Sequence, residues 1–97
     1  MDDADVLQAL RAVNDPEIGI NIVDLGLIYR AVRGPEGIAV ALTLSTPACP
    51  LSEMILEEAQ AALRAQFPQA RSIDVKLVWD PPWSPERMSE AARRQLG

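Results

Sequence analysis

Cys49 is the only cysteine in the chain and stands in Leu44-Ser45-Thr46-Pro47-Ala48-Cys49-Pro50, where a strand-like alternation stops and a helix-like period begins. A thiol at such a junction has a physical reason to be reactive. The first four N–H groups of a helix have no partner inside it, and that end carries roughly +0.5 charge, so a thiolate there is favoured over the thiol. Pro50 suits the first helical position, which makes Cys49 the N-cap. The plainer reading is a buried thiol without chemistry, since free cysteine is among the most buried residue types. Position alone leaves both readings open.

The chain has no histidine. A cysteine-histidine nucleophilic pair is therefore impossible within it, and a carboxylate is too weak a base to deprotonate an ordinary thiol efficiently. Structural zinc sites of four cysteines, or of two cysteines and two histidines, are equally out of reach for one subunit. Three carboxylates lie near candidate positions: Asp15 and Glu17 flank Pro16, and Asp24 precedes Leu25-Gly26. Each also has an ordinary role, as a turn cap, a solvated charge or an acceptor for loop N–H groups. Thr46 is either a loop hydrogen bonder or a site hydroxyl. Of the two tryptophans, Trp79 is expected in the core and Trp83 is open between core and interface, with Pro81-Pro82 as a rigid connection.

A length of 97 residues allows one domain spanning 1–97, since domains commonly run to ~100–150 residues. Hydrophobic residues at 48% and charged residues at 24% are those of a globular chain, which excludes a disordered or fibrous class. The formal net charge of −5, without a run of Lys or Arg, argues against nucleic acid as a partner. No apolar run approaches the ~18 residues of a membrane span, and the acidic N-terminus is unlike a signal peptide. One cysteine cannot form an internal disulfide, so a soluble protein of the reducing cytoplasm is expected.

The elements that must position these residues can be read from periodicity. Asp5 or an acidic neighbour caps a first helix whose buried face is Val6, Leu7, Leu10 and Val13, ending at Asn14-Asp15-Pro16. Leu27 to Val32 is a strand, Arg33 to Gly37 a turn, and Ile38, Val40, Leu42 and Leu44 the apolar face of a second strand. From Pro50 to about Gln66 the period is helical, with Leu51, Met54, Ile55, Ala59, Ala62 and Leu63 on one face. Ile73, Val75, Leu77 and Trp79 mark a third strand, stopped by Asp80-Pro81-Pro82, and Ser84-Pro85 opens a last helix. The expected fold is α+β: a three-stranded sheet with helices on one face, in the order helix-strand-strand-helix-strand-helix.

Four segments together resemble a known family. They are Asp15-Pro16-Glu17 through Asn21-Ile22-Val23-Asp24-Leu25-Gly26-Leu27-Ile28-Tyr29, Thr46-Pro47-Ala48-Cys49-Pro50, Val78-Trp79-Asp80-Pro81-Pro82-Trp83, and Met88-Ser89-Glu90-Ala91-Ala92-Arg93. In this order they are similar to the small iron-sulfur assembly proteins of the SufT and PaaD type and to the N-terminal domain of Mrp-type cluster carriers. The resemblance implies an iron-sulfur cluster assembly domain-like fold and a role in maturing or delivering clusters. It matches Cys49 to the family's reactive cysteine, and Glu17, Asp24 and Thr46 to polar positions around it. A cysteine-rich tail of the PaaD type and an ATPase domain of the Mrp type are not in this sequence, so the stand-alone SufT-like form is the nearest picture.

The leading reading is an accessory factor in cluster assembly or transfer, not a catalyst, with Cys49 as a labile cluster ligand or docking thiol. Its cargo is an iron-sulfur cluster held transiently and shared between subunits or with a partner. A two-iron cluster normally takes four protein thiolates, so a homodimer would supply two and leave the rest to a small thiol, a carboxylate such as Asp24, or the client. Its expected partners are assembly proteins and client apoproteins. The alternative is a metal-free adaptor between them, using Trp83, Pro81, Pro82 and the last helix as contact surface. A thiol enzyme on a small substrate ranks behind both, because neither a base nor an oxyanion loop is evident.

Overall fold

The computed structural model describes residues 3–15, 18–44 and 52–96. In chain order these form α1 (Ala4–Leu10), β1 (Ile28–Gly34), β2 (Gly37–Leu42), α2 (Ser52–Gln66), β3 (Ile73–Leu77), a single 3-10 turn (Pro85–Arg87) and α3 (Glu90–Leu96). This is the α+β order read from the periodicity, with the 3-10 turn added. Asp3, one of the acidic neighbours of Asp5, is the cap of α1: its Oδ1 accepts from the N–H groups of Asp5 at 2.9 Å and Val6 at 3.0 Å.

Gly34 pairs with Gly37 across the Pro35-Glu36 turn, so β1 and β2 are an antiparallel hairpin. β3 lies on the other side of β2 and runs parallel to it, giving the order β1-β2-β3. Parallel neighbours need a long connection, and the 15-residue helix α2 supplies it. Ile38, Val40 and Leu42 of β2 are buried in the core, with α1 packed on β1 and α2 on β3, while Ala39 and Ala41 are half-buried on the opposite face, which no helix covers among the described residues. On α2 the buried residues Ile55, Ala59 and Leu63 recur every fourth position. Among the described residues no helix is long and apolar enough to cross a membrane.

Several expectations are corrected. Met54 is 44% exposed, because it falls outside the narrow stripe of α2 that faces the sheet. Trp79 is 42% exposed: β3 ends at Leu77, so the strand alternation that would have turned Trp79 inward has already stopped. Leu77 is half-buried, since β3 is an edge strand. Ser84 and Pro85 start the 3-10 turn, whereas α3 begins later with Ser89, whose Oγ accepts from the Ala92 N–H at 3.2 Å.

The difference between the two leucines is measurable. Leu42→Ala should cost about 2–5 kcal/mol in urea unfolding, as for a fully buried side chain, and Leu77→Ala clearly less. Equal losses would mean that the edge strand is covered in solution.

Candidate functional site

The described residues between α1 and β1 have almost no regular secondary structure, yet Ile20, Ile22, Leu25 and Leu27 are all buried in the core. Hydrogen bonds fold it back on the chain that precedes it. The Ile22 N–H donates to the Val13 carbonyl at 2.9 Å, Asp15 N–H to Ile20 at 3.0 Å, and Gly19 N–H to Asp15 at 2.7 Å. Asp15 is buried and held in this turn. Gly26 has φ 77°, and a Cβ there would collide with the Arg87 backbone, so the residue must be glycine on two counts.

Asp24 sits at the centre of this segment. Its Oδ1 accepts from Arg11 Nη1 at 2.8 Å and its Oδ2 from Asn21 Nδ2 at 2.8 Å. Its own N–H donates to Asn21 Oδ1 at 2.8 Å, and its carbonyl accepts the Ser89 N–H at 2.7 Å. One residue thereby ties together the end of α1, the loop and the start of α3. The Asn21 amide, followed by the Arg11 guanidinium, lowers the Asp24 pKa below the ordinary carboxylate value against the opposing effect of burial; Ser89 adds a smaller lowering. The group is therefore ionised at neutral pH. A small polar cleft beside it is lined by Asn14, Asn21, Asp24 and Gln95 together with Ile20 and Ala92.

The topology places this loop at one end of the sheet. Because β2 and β3 are parallel and β1 antiparallel, the start of β1 and the ends of β2 and β3 lie together. Thr43 N–H donates to the Leu27 carbonyl at 2.8 Å and Val78 N–H to Leu42 at 2.8 Å. At this end the chain leaves β2 for the crossover that carries Cys49 and enters α2 at Ser52. In open sheets with parallel strands, ligand chemistry gathers outside the carboxyl ends of the strands. The residues after β3 form a strap at the same end. Trp83 Nε1 donates to the Leu25 carbonyl at 2.7 Å, and Tyr29 Oη donates to the Pro81 carbonyl at 2.6 Å.

Of the residues singled out from sequence, Asp24 is seen in this network, while Glu17, Thr46 and Cys49 lie outside the described residues. Trp83, left open by its sequence context, is packed against the core with its indole N–H satisfied. Arg11, Asn21 and Ser89 were not singled out for this role. Asn21, three residues before Asp24, has the spacing of a side chain that closes a turn, whereas nothing local points from Arg11 or Ser89 to Asp24.

The model of the family described as "Iron-sulfur cluster assembly protein" matches residues 3–77, which include the Asp24 loop, the crossover and all three strands. The chain belongs to this family. It is similar to the Fe-S protein maturation auxiliary factor YitW of Bacillus subtilis, at 39% identity over 93 residues, covering 95% of this chain and 90% of that one. It is also similar to the Fe-S protein maturation auxiliary factor SufT of Staphylococcus aureus, at 40% identity over 86 residues, covering 88% and 97%. Among solved structures, a domain of unknown function (DUF59) from Bacillus anthracis superposes with a TM-score of 0.91 at 36% identity, covering 95% of this chain and 88% of that one. The iron-sulfur assembly fold expected from the sequence is thus the observed one.

The Asp24 network has a pH signature. A carboxylate whose folded pKa is lowered stabilises the fold above its unfolded value and loses that contribution as pH falls through the folded value. Asp24→Asn should cost about 1 kcal/mol near pH 7, and the gap to wild type should close below about pH 4. Urea titrations at several pH values check this; a gap independent of pH would assign the loss to packing. Trp83→Phe, which strips the donor from the Leu25 carbonyl, should likewise cost about 1–3 kcal/mol in the same assay.

Proposed function

We propose that this protein is an accessory factor in iron-sulfur cluster assembly or in cluster transfer to client proteins, with the Cys49 thiolate as a labile cluster ligand or docking thiol. The observation that carries the reading is topological: the chain's only thiol belongs to the β2–α2 crossover, which leaves the sheet at the end where the Asp24 loop and the Trp83 strap converge. The relatives named as maturation auxiliary factors support the same role.

The cluster is cargo in this reading. One cysteine cannot complete a site of four thiolates, and among the described residues no three His, Cys, Asp or Glu side chains gather as a metal site. A cluster is then shared, either between two copies of Cys49 in a homodimer or between Cys49 and an assembly protein or client apoprotein. Incomplete ligation by the carrier favours release to a client that offers the full set. Glu17, Thr46 and Asp24 are the polar surroundings of the thiol in this proposal. Asp24 brings a fixed negative charge with each oxygen already accepting one hydrogen bond, so it suits orienting the loop as well as ligation. A lone free thiol of this kind works in the reducing cytoplasm.

A second reading is a metal-free adaptor between the assembly machinery and clients. It is favoured by one observation, the 42% exposure of Trp79 beside the strap, which takes the place of Trp83 as the aromatic available to a partner.

Anaerobic mixing of the reduced protein with iron and sulfide separates the two. The carrier reading expects a visible cluster spectrum and a shift to dimer, both lost in Cys49→Ser; a folded wild type that assembles no cluster supports the adaptor. Cys49→Ala should unfold in urea nearly as wild type does, far from the loss expected of Leu42→Ala, and a comparable loss would return Cys49 to a packing role.

A further inference from the structure

We propose that the uncovered face of the sheet docks a carboxylate-bearing, partly apolar segment of a partner protein. Across the three strands Arg30 pairs with Ala41, and Ala41 with Lys76, so two cations flank a small side chain in one row. Strands are about 4.8 Å apart, which puts Arg30 and Lys76 on the two sides of a floor wide enough for one peptide backbone. Beside this row lies a cleft of 430 Å³ lined by Tyr29, Ala41, Val78, Pro81, Asp80 and Arg87. The Arg87 guanidinium is 4.5 Å from the centroid of the Tyr29 ring, and that ring is itself anchored by its hydroxyl on the Pro81 carbonyl.

The charge state of these groups decides what the face can hold. Among the described residues, Arg30, Arg71, Lys76 and Arg87 are the cationic side chains with neither an ion pair nor a side-chain hydrogen bond. All of these except Arg71 surround Ala41. In a chain of net charge −5 the unused positive charge is thus gathered on one face, where the sheet offers alanines instead of a covering helix. Asp80 on the cleft wall and Asp74, two residues before Lys76, bound the cationic row and would repel carboxylates placed outside it. Tyr29, its ring under the Arg87 guanidinium, supplies the aromatic surface of the cleft. Tyrosine and arginine, here beside a small-residue floor, are among the side chains that dominate protein-docking energies. The occupant that fits is an acidic segment with an apolar side chain seated on Ala41, Val78 and Pro81.

The inference rests on the accessory-factor reading for the existence of a protein partner, but not on Cys49. Its test uses the reduced, cluster-free full chain, isotope-labelled, with a blocked and amidated peptide of alternating glutamate and leucine as probe. A glutamine-leucine peptide is the control. The expected result is saturable amide shifts at Tyr29, Ala41, Lys76 and Val78 with the glutamate peptide, weakened by salt and retained in Cys49→Ser. The double substitution Arg30→Glu with Lys76→Glu, on exposed side chains, should weaken binding about tenfold or more with an unchanged melting curve. Equal binding of the glutamine peptide would overturn the proposal, as would the absence of saturable shifts at about 1 mM peptide. Shifts on the same face that depend on protein concentration alone would assign the surface to a second copy and overturn it too. A failed cluster reconstitution would leave the result standing, so the two proposals fail separately.

Discussion

The carbonyls of Leu25 and Leu27 lie in a segment whose side chains are buried in the core, and both are claimed by distant parts of the chain: Leu25 by the Trp83 indole and Leu27 by the Thr43 N–H. A buried carbonyl without a donor costs free energy comparable to a lost hydrogen bond, so the loop, the end of β2 and the strap must be in place together. Asp24 extends the same dependence to α1 through Arg11 and to α3 through Ser89. The end of the sheet from which the Cys49 crossover departs is therefore held by contacts far apart in sequence, and the loop between α1 and β1 acts as its framework.

This framework explains why the last third of the chain is organised as it is. After β3 the prolines Pro81, Pro82 and Pro85 cannot extend the ladder, and the chain instead crosses the end of the sheet. Tyr29 and Leu25 receive it through hydrogen bonds, and Gly26 permits the close approach of Arg87. The chain then enters α3, whose Ala92 is buried while Glu90, Ala91, Arg93, Arg94 and Gln95 are exposed. The strap puts Arg87 over the Tyr29 ring at the margin of the alanine face, so the device that closes the core also shapes a surface with cationic and aromatic area.

Family membership and geometry bear on function in different ways. The match over residues 3–77 places the chain in the iron-sulfur cluster assembly protein family. The geometry adds what an alignment of motifs does not: the Asp24 carboxylate is already engaged on both oxygens, and the exposed tryptophan is Trp79 while Trp83 packs against the core. A motif residue thus divides into two kinds here, one that builds the site end and one that remains available at it.

The amino-acid sequence alone determined the secondary elements and their order. Alternation in Ile38, Val40 and Leu42, the helical stripe of Ile55, Ala59 and Leu63, and the acidic cap before Val6 are local patterns with a single structural solution each. It also singled out Cys49 as the one thiol, and it carried the family resemblance in four segments. Tertiary structure decided the parallel pairing of β3 with β2, the partners of Asp24, and which tryptophan packs against the core. None of these has a local signature. Arg11 meets Asp24 across thirteen residues and Trp83 meets Leu25 across fifty-eight, and such pairs form only once the sheet and helices have brought the segments together. Trp79 shows the same limit in reverse: its alternation with Ile73, Val75 and Leu77 is that of a core residue, but the ladder between β2 and β3 ends at the Leu42–Leu77 pair.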